Sequence, residues 1–395
     1  MNRIERVKAA IHFTGPDRPP VFKAGLADFF PMMILPPKSW APGHLPHEDG
    51  LFPYTHDEFA VKFRMWRWKK PKWAKAPKYR NWLDLPRKEV DEWGTIWYQT
   101  GKHDSIGHPV APALESWDDY DEYLSRYNPD PKDETRYQLF TRLCKLLGKR
   151  YYRLAILWAL GPFGLGANIR GFNQFLIDHR KHPEHVKKLL AHITDIFIES
   201  MRMWHSVGAN PHGFIIYDDL GDQLNPFMSP GMFKEFYEPV YRRIIEEAHR
   251  SGCDTILHSC GKVDPLIPHF IEWGLDAFEF DSPRMCGYPD LAPYRGKIAF
   301  FGCVNIQTIY SRGTPEQCRR EVWHMIRNLG TEKGGFGAYF YPEIHHIGAS
   351  KENVRAFEQG LRDFGVYANI PKSWWEHPAP EEWPELEVPP LPPAP

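Results

Sequence analysis

No run of about 18 apolar residues occurs in this 395-residue chain, so no membrane-spanning helix is expected. Neither charge is in excess. Forty-nine Lys and Arg oppose 50 Asp and Glu, which leaves no electrostatic footing for nucleic acid or an anionic membrane. Cysteine is scarce: the six residues Cys144, Cys253, Cys260, Cys286, Cys303 and Cys318 lack the spacing of a disulfide scaffold. They read as free thiols or metal ligands in a reducing compartment. No Gly-x-Gly-x-x-Gly follows a first apolar run, which argues against a dinucleotide site. Residues 1–16 are amphipathic through Ile4, Val7, Ile11 and Phe13 and carry no apolar secretory core, so a cytoplasmic location is the expectation.

From about residue 150 the chain alternates short apolar runs with helical patterns. Strands are expected at Tyr152–Gly161, Gly213–Tyr217, Asp254–Ser259, Ala277–Asp281, Ile298–Val304 and Gly337–Tyr341. Between them lie helical stretches at Pro183–His205, Pro230–Ser251, Val263–Trp273, Thr314–Leu329 and Lys351–Phe364. Thr314-Pro315-Glu316 is a helix start, with a capping hydroxyl, proline in the first turn and an early acid. This alternation predicts a parallel sheet. Eight units fit if Pro20–Gly25 is the first strand and a second lies between residues 90 and 120. The expected fold is a (β/α)8 TIM-type barrel spanning 1–369, with an open doubly wound sheet as the alternative. Residues 30–130 fit the repeat poorly and hold much of the tryptophan, including Trp66, Trp68, Trp73, Trp82, Trp93 and Trp97. They are expected to form an insertion capping the barrel, either as aromatic packing under loops or as substrate contact. Residues 370–395, rich in Pro, Glu and Trp, read as an extended tail.

The most informative segment is Leu257-His258-Ser259-Cys260-Gly261. Residues i and i+2 share one face of a strand. An imidazole and a thiol on one face at a strand end are two corners of a site that suits zinc. Active sites of such barrels gather where the strands end. The strand ends here carry Asp218, Asp219 and Gln223, then His258 and Cys260, Glu279 and Asp281, Cys303, and Glu343, His345 and His346. Asp218 and Asp219 are adjacent and point differently, so one of them faces the pocket. Cys303 is open to two readings, a metal ligand or a buried small hydrophobe. Glu343, His345 and His346 include a candidate third or fourth ligand, and a second-shell role is open for one of the histidines.

These segments resemble the uroporphyrinogen decarboxylase superfamily, which includes zinc-dependent corrinoid methyltransferases. The resemblance rests on Arg3-Ile4-Glu5-Arg6-Val7 with Pro16-Asp17-Arg18-Pro19-Pro20-Val21, on Gly161 with Arg170-Gly171-Phe172, and on Asp218-Asp219-Leu220-Gly221 with Gln223. It also rests on His258-Ser259-Cys260-Gly261, Gly302-Cys303-Val304-Asn305 and Gly334-Gly335-Phe336 with Glu352-Asn353-Val354. His258-x-Cys260 is similar to the methyltransferase branch. The decarboxylases carry arginines near the N-terminus, where Phe22-Lys23-Ala24-Gly25-Leu26 stands here, and a polycarboxylate substrate would need such cations. The methyltransferases take a later cysteine as third ligand. Here Glu343-Ile344-His345-His346 falls at that point, so Glu343, a histidine or Cys303 takes its place.

The resemblance implies methyl transfer between a small substrate and a corrinoid (cobalamin) carried by a partner protein. Zinc, held by His258, Cys260, Cys303 and Glu343 (His345 in the alternative), would act as Lewis acid. Asp218, Asp219 and Gln223 are the expected catalytic residues, orienting the substrate or handling a proton. The aromatic content before residue 100 points to an aryl methyl ether donor and O-demethylation. A homodimer is also what the resemblance implies. Two other readings use the same pocket: a metal-free decarboxylase or lyase acting on a carboxylated substrate, and a non-enzymatic corrinoid- or metal-binding protein.

Overall fold

The computed structural model describes residues 1–23, 26–37, 51–53, 85–101, 107–342 and 344–375. Trp66, Trp68, Trp73, Trp82, Trp383 and Glu343 lie outside the described residues. Twelve strands are described: β1 (Val21–Phe22), β2 (Phe29–Met33), β3 (Leu51–Pro53), β4 (Arg87–Val90), β5 (Ile96–Gln99), β6 (His108–Ala111), β7 (Tyr152–Ile156), β8 (Gly213–Tyr217), β9 (Asp254–His258), β10 (Ala277–Phe280), β11 (Ala299–Gly302) and β12 (Phe336–Tyr339). The chain divides into two compact units, Met1–Met32 with Cys144–Ile156 and Asn210–Pro395, and Met33–Leu143 with Leu157–Ala209. The second unit takes in most of the 30–130 stretch and adds 131–143 and 157–209.

The first unit is the barrel. Its eight-stranded sheet runs β1-β12-β11-β10-β9-β8-β7-β2, and the pairs from β7 round to β1 are parallel. Almost every residue of β8 to β12 is buried, as expected for strands covered on both faces. Six strands and five helices fall where the sequence places them, although the strand expected at Tyr152–Gly161 already ends at Ile156. The second strand is a correction. It is Phe29–Met33, not a segment of 90–120. The strands of 87–111 are joined by antiparallel pairings into a separate sheet, which a parallel barrel position does not admit. Pro31 and the short link from β1 hid the true second strand from a search for long apolar runs.

Buried charge joins β1 to β2. The fully buried Asp28 carboxylate accepts from Arg6 Nη1 at 2.9 Å, from Arg18 Nη1 and Nη2 at 2.8 and 2.9 Å, and from the Val21 amide at 2.8 Å. Helix Arg3–Ile11, begun by an Asn2–Glu5 capping box, is thereby tied to the start of the sheet. A second cluster sits where β7 and β9 begin. Asp254 accepts from the Tyr152 hydroxyl at 2.6 Å and pairs with His12 Nε2 at 2.8 Å. The interior above is aromatic: Phe29 packs at 5.1 Å on Phe22, 5.3 Å on Tyr152 and 5.7 Å on Phe301. Gly337 leaves the space that the Phe301 ring occupies.

In the second unit β3 to β6 form a four-stranded sheet. Asp91 builds the β4–β5 turn by accepting from the Trp93 and Thr95 amides at 2.9 Å, and it takes the Trp97 indole N–H at 2.7 Å. Three helices follow in succession, Pro162–Arg170, Phe172–Lys181 and Pro183–Ser206. Trp158 has φ +59°, a strained value for a bulky residue. Its indole N–H donates to Ser200 at 3.2 Å, and its ring carries the Arg136 guanidinium at 5.3 Å.

Two outcomes follow. Asp28→Ala leaves two guanidinium groups without their buried partner and should cost on the order of 3 kcal/mol; urea denaturation reads this, and a loss under about 1 kcal/mol would contradict it. His12 is raised above its ordinary 6.5, mainly by its hydrogen bond to Asp254 and against burial. A raised histidine stabilises fully below 6.5, and the effect is lost as pH rises through its folded-state value. Asp254 is lowered from 3.8, burial opposing while the His12 and Tyr152 hydrogen bonds prevail, so its contribution disappears as pH falls below 3.8. The half-exposed pair is worth on the order of 0.5 kcal/mol after solvent screening. Melting curves of His12→Ala should therefore show a deficit between 3.8 and 6.5 that closes at alkaline pH; a deficit constant with pH would contradict the pairing.

Candidate metal centre

Strand register builds this site. Tyr217 on β8 lies opposite His258 on β9, and His258 lies opposite Glu279 on β10. Neighbours in a parallel register point to the same face, so these three form one inward row. Two residues further along each chain come Asp219, Cys260 and Asp281. Gly261, with φ +91°, follows Cys260, and a Cβ there would run into the backbone of Gly221 and Asp222. Glycine is required for that approach. It brings the loops after β8 and β9 together, where the Cys260 amide donates to Asp219 Oδ1 at 3.0 Å and the Leu220 amide to Ser259 Oγ at 3.0 Å.

His258 is held from behind. Its Nδ1 hydrogen-bonds Glu279 Oε2, and Glu279 is fully buried. This fixes the ring so that Nε2 faces Asp219 Oδ1 at 3.5 Å and Cys260 Sγ at 3.5 Å. Cys260 Sγ in turn lies 3.2 Å from Asp281 Oδ2. Burial opposes charge on His258, but Glu279 and Cys260, with a hydrogen bond to Asp219, hold the imidazole well above its usual value. Glu279 is pushed up to about 7 by burial, with His258 acting against the rise. Burial likewise raises Asp281. Asp219 meets the same burial penalty, yet the bond and charge of His258 and the Cys260 amide hold it at about 2. Its side chain is 56% exposed, the open edge of the group.

Donor atoms of Asp219, His258 and Cys260 all lie within 4.8 Å of one another, as do those of His258, Glu279 and Asp281. Zinc bond lengths of about 2.0–2.3 Å in a tetrahedron give edges of roughly 3.3–3.5 Å between donors. The two spacings of 3.5 Å from His258 Nε2 match such edges, and the 3.2 Å from Cys260 Sγ to Asp281 Oδ2 falls slightly short of them. Glu279 Oε1 and Asp281 Oδ1 are buried without a hydrogen-bond partner among the described residues. Buried acceptors of that kind call for an ion or a proton. The residues fit a metal of zinc's donor preference. Asp219, His258, Cys260 and Asp281 would supply the donors, and Glu279 hydrogen-bonds His258 Nδ1 as an orienting partner.

The other expected residues that are described lie outside these two groups. Asp218 is buried and accepts from the Tyr241 hydroxyl at 2.6 Å, on helix Pro230–Arg250. Gln223 is exposed in the loop after β8. Cys303 is fully buried, its thiol driven far up by burial, and it belongs to neither donor group. Glu343 lies outside the described residues, and His345 and His346 are exposed, their rings 3.9 Å apart. Sequence reading placed Glu279 and Asp281 at a strand end but gave them no role. Their i, i+2 spacing, repeating that of His258 and Cys260 one strand over, was the available signal.

Glu279→Gln keeps the shape and removes the charge that favours the His258 imidazolium. In the metal-free protein the His258 titration, followed by NMR of the imidazole, should move down toward 6.5. An unmoved titration would contradict the pairing.

The sequence profile of the family described as uroporphyrinogen decarboxylase (URO-D) matches residues 96–347, more than half of the chain. A methylated-thiol–coenzyme M methyltransferase of Methanosarcina mazei is 24% identical over 238 residues, covering 60% of this chain and 61% of its own length. The chain thus matches less than two thirds of that relative. A solved methyltransferase from Methanosarcina mazei aligns with a TM-score of 0.58 at 14% identity, covering 92% of this chain and 99% of that one. At that identity the likeness speaks for the barrel. With its barrel and the extent of the profile match, the chain belongs to the uroporphyrinogen decarboxylase family.

Proposed function

We propose that this protein transfers a methyl group between a small substrate and the corrinoid of a partner protein, with zinc held by His258, Cys260, Asp219 and Asp281. One observation carries the reading: a nitrogen, a sulfur and carboxylate oxygens stand 3.2–3.5 Å from one another in succession where the barrel strands end, with two further carboxylate oxygens that have no partner among the described residues. Its similarity to a methyltransferase supports the same choice over decarboxylation. Bound zinc supplies Lewis acidity toward the heteroatom that carries or receives the methyl group. Glu279 holds the His258 ring, and the buried Asp281 stands beside Cys260 as a further donor. Asp219, at the exposed edge, meets substrate and solvent first. An aryl methyl ether is the proposed donor. The tryptophan content of residues 66–97 supports it, and Trp93 and Trp97, the two of those tryptophans that are described, pack within the second unit.

Elemental analysis and methyl transfer to cob(I)alamin test this together. The protein should carry about one zinc per chain, and His258→Ala and Cys260→Ala should each lose it along with activity. Glu279→Ala should bind zinc about 10- to 100-fold more weakly. Protein that takes up no zinc when offered it would overturn the proposal in favour of a metal-free lyase, with Glu279 and Asp281 as its proton handlers.

A further inference from the structure

One polar group at the strand ends is used by none of these contacts. Gly337 pairs in register with Phe301, and Phe301 with Glu279, so the His258 row continues through β11 to β12. Tyr339 stands two residues beyond Gly337. The counting that puts Asp219, Cys260 and Asp281 one step above that row puts Tyr339 in the same upper row. Its ring centroid is 6.4 Å from that of His258, and Phe22 backs it at 5.5 Å. The residue is only 6% exposed. Among the described residues its hydroxyl has no hydrogen-bond partner, although its ring is packed. Burial, reinforced by Tyr217, Glu279 and Asp281, raises the phenol well above its usual range, so it is a proton-bearing donor at neutral pH.

We propose that Tyr339 contacts the substrate, its O–H donating to the heteroatom that loses the methyl group, and that this selects an oxygen ether over a thioether or a methylammonium donor. The proposal rests on the methyl-transfer reading. An ether or phenolate oxygen accepts such a bond well. A thioether sulfur accepts it weakly, and a quaternary ammonium has no lone pair to offer. In the transfer the methyl carbon bonds to the lone pair of the acceptor nucleophile, a reduced corrinoid. The C–O bond breaks with its electron pair left on oxygen. The Tyr339 bond to that oxygen then becomes charge-assisted and strengthens as the charge develops. The released phenolate takes its proton from solvent, and Tyr339 keeps its own.

The test compares wild type with Tyr339→Phe, both zinc-loaded, using guaiacol as oxygen donor, thioanisole as sulfur donor and catechol as the demethylated product. The variant should hold zinc as the wild type does, which also reports an intact site. Its kcat/KM with guaiacol should fall about 10- to 100-fold, and calorimetric binding of catechol should weaken roughly tenfold. Any thioanisole activity should be unchanged. Equal losses on both donors, or unaltered catechol binding, would overturn the assignment. If the wild type demethylates neither donor, the methyl-transfer reading fails by itself. The catechol arm then decides Tyr339 alone: weaker binding in the variant supports the contact, and equal binding overturns it.

Discussion

The buried pairing of His258 with Glu279 is the interaction on which the site depends. A neutral imidazole on the inner face of a barrel would be free to turn and present either nitrogen. The Glu279 carboxylate, placed directly opposite by the β9–β10 register, commits Nδ1 to itself and aims Nε2 at Cys260 and Asp219. Burying the acid is expensive, and burial pushes its carboxyl up to about 7 against the opposing charge of His258. The pair therefore works as a unit: the carboxylate orients the ring, and the ring keeps the carboxylate tolerable in the interior.

The two ends of the barrel treat buried charge differently. Where the strands begin, Asp28 and Asp254 have each carboxylate oxygen engaged, by Arg6, Arg18 and the Val21 amide in one case and by His12 and Tyr152 in the other. That is the pattern of residues that hold a fold together. Where the strands end, Glu279 and Asp281 each keep one buried oxygen without a partner among the described residues. Stability is concentrated at one end and unmet bonding capacity at the other, which is how barrels of this class divide stability from chemistry.

Much of this could be read from the residues. His258 and Cys260 declared themselves by spacing, and β8 to β12 by short apolar runs between helical patterns. The second strand did not, because Phe29-Phe30-Pro31-Met32-Met33 is short, contains proline and follows β1 too closely to resemble a further unit. The choice between Asp218 and Asp219 is settled by parity once β8 is registered against β9: Asp219 is two beyond Tyr217, which faces His258. Cys303 occupies the correct step of its strand, but complete burial of a thiol is a property of packing that no spacing reveals. Glu279 and Asp281 were visible as acids at a strand end. Their meaning came only from the register that sets them beside a histidine and a cysteine.

X-ray absorption at the zinc edge of the loaded protein tests the central claim most directly. The arrangement at His258, Cys260, Asp219 and Asp281 requires a single sulfur scatterer at about 2.3 Å, with the remaining donors nitrogen and oxygen at about 2.0–2.2 Å. Cys303→Ser should leave that spectrum unchanged. Two sulfurs in the wild type, falling to one in Cys303→Ser, would contradict the account and bring the buried thiol that follows β11 into the centre.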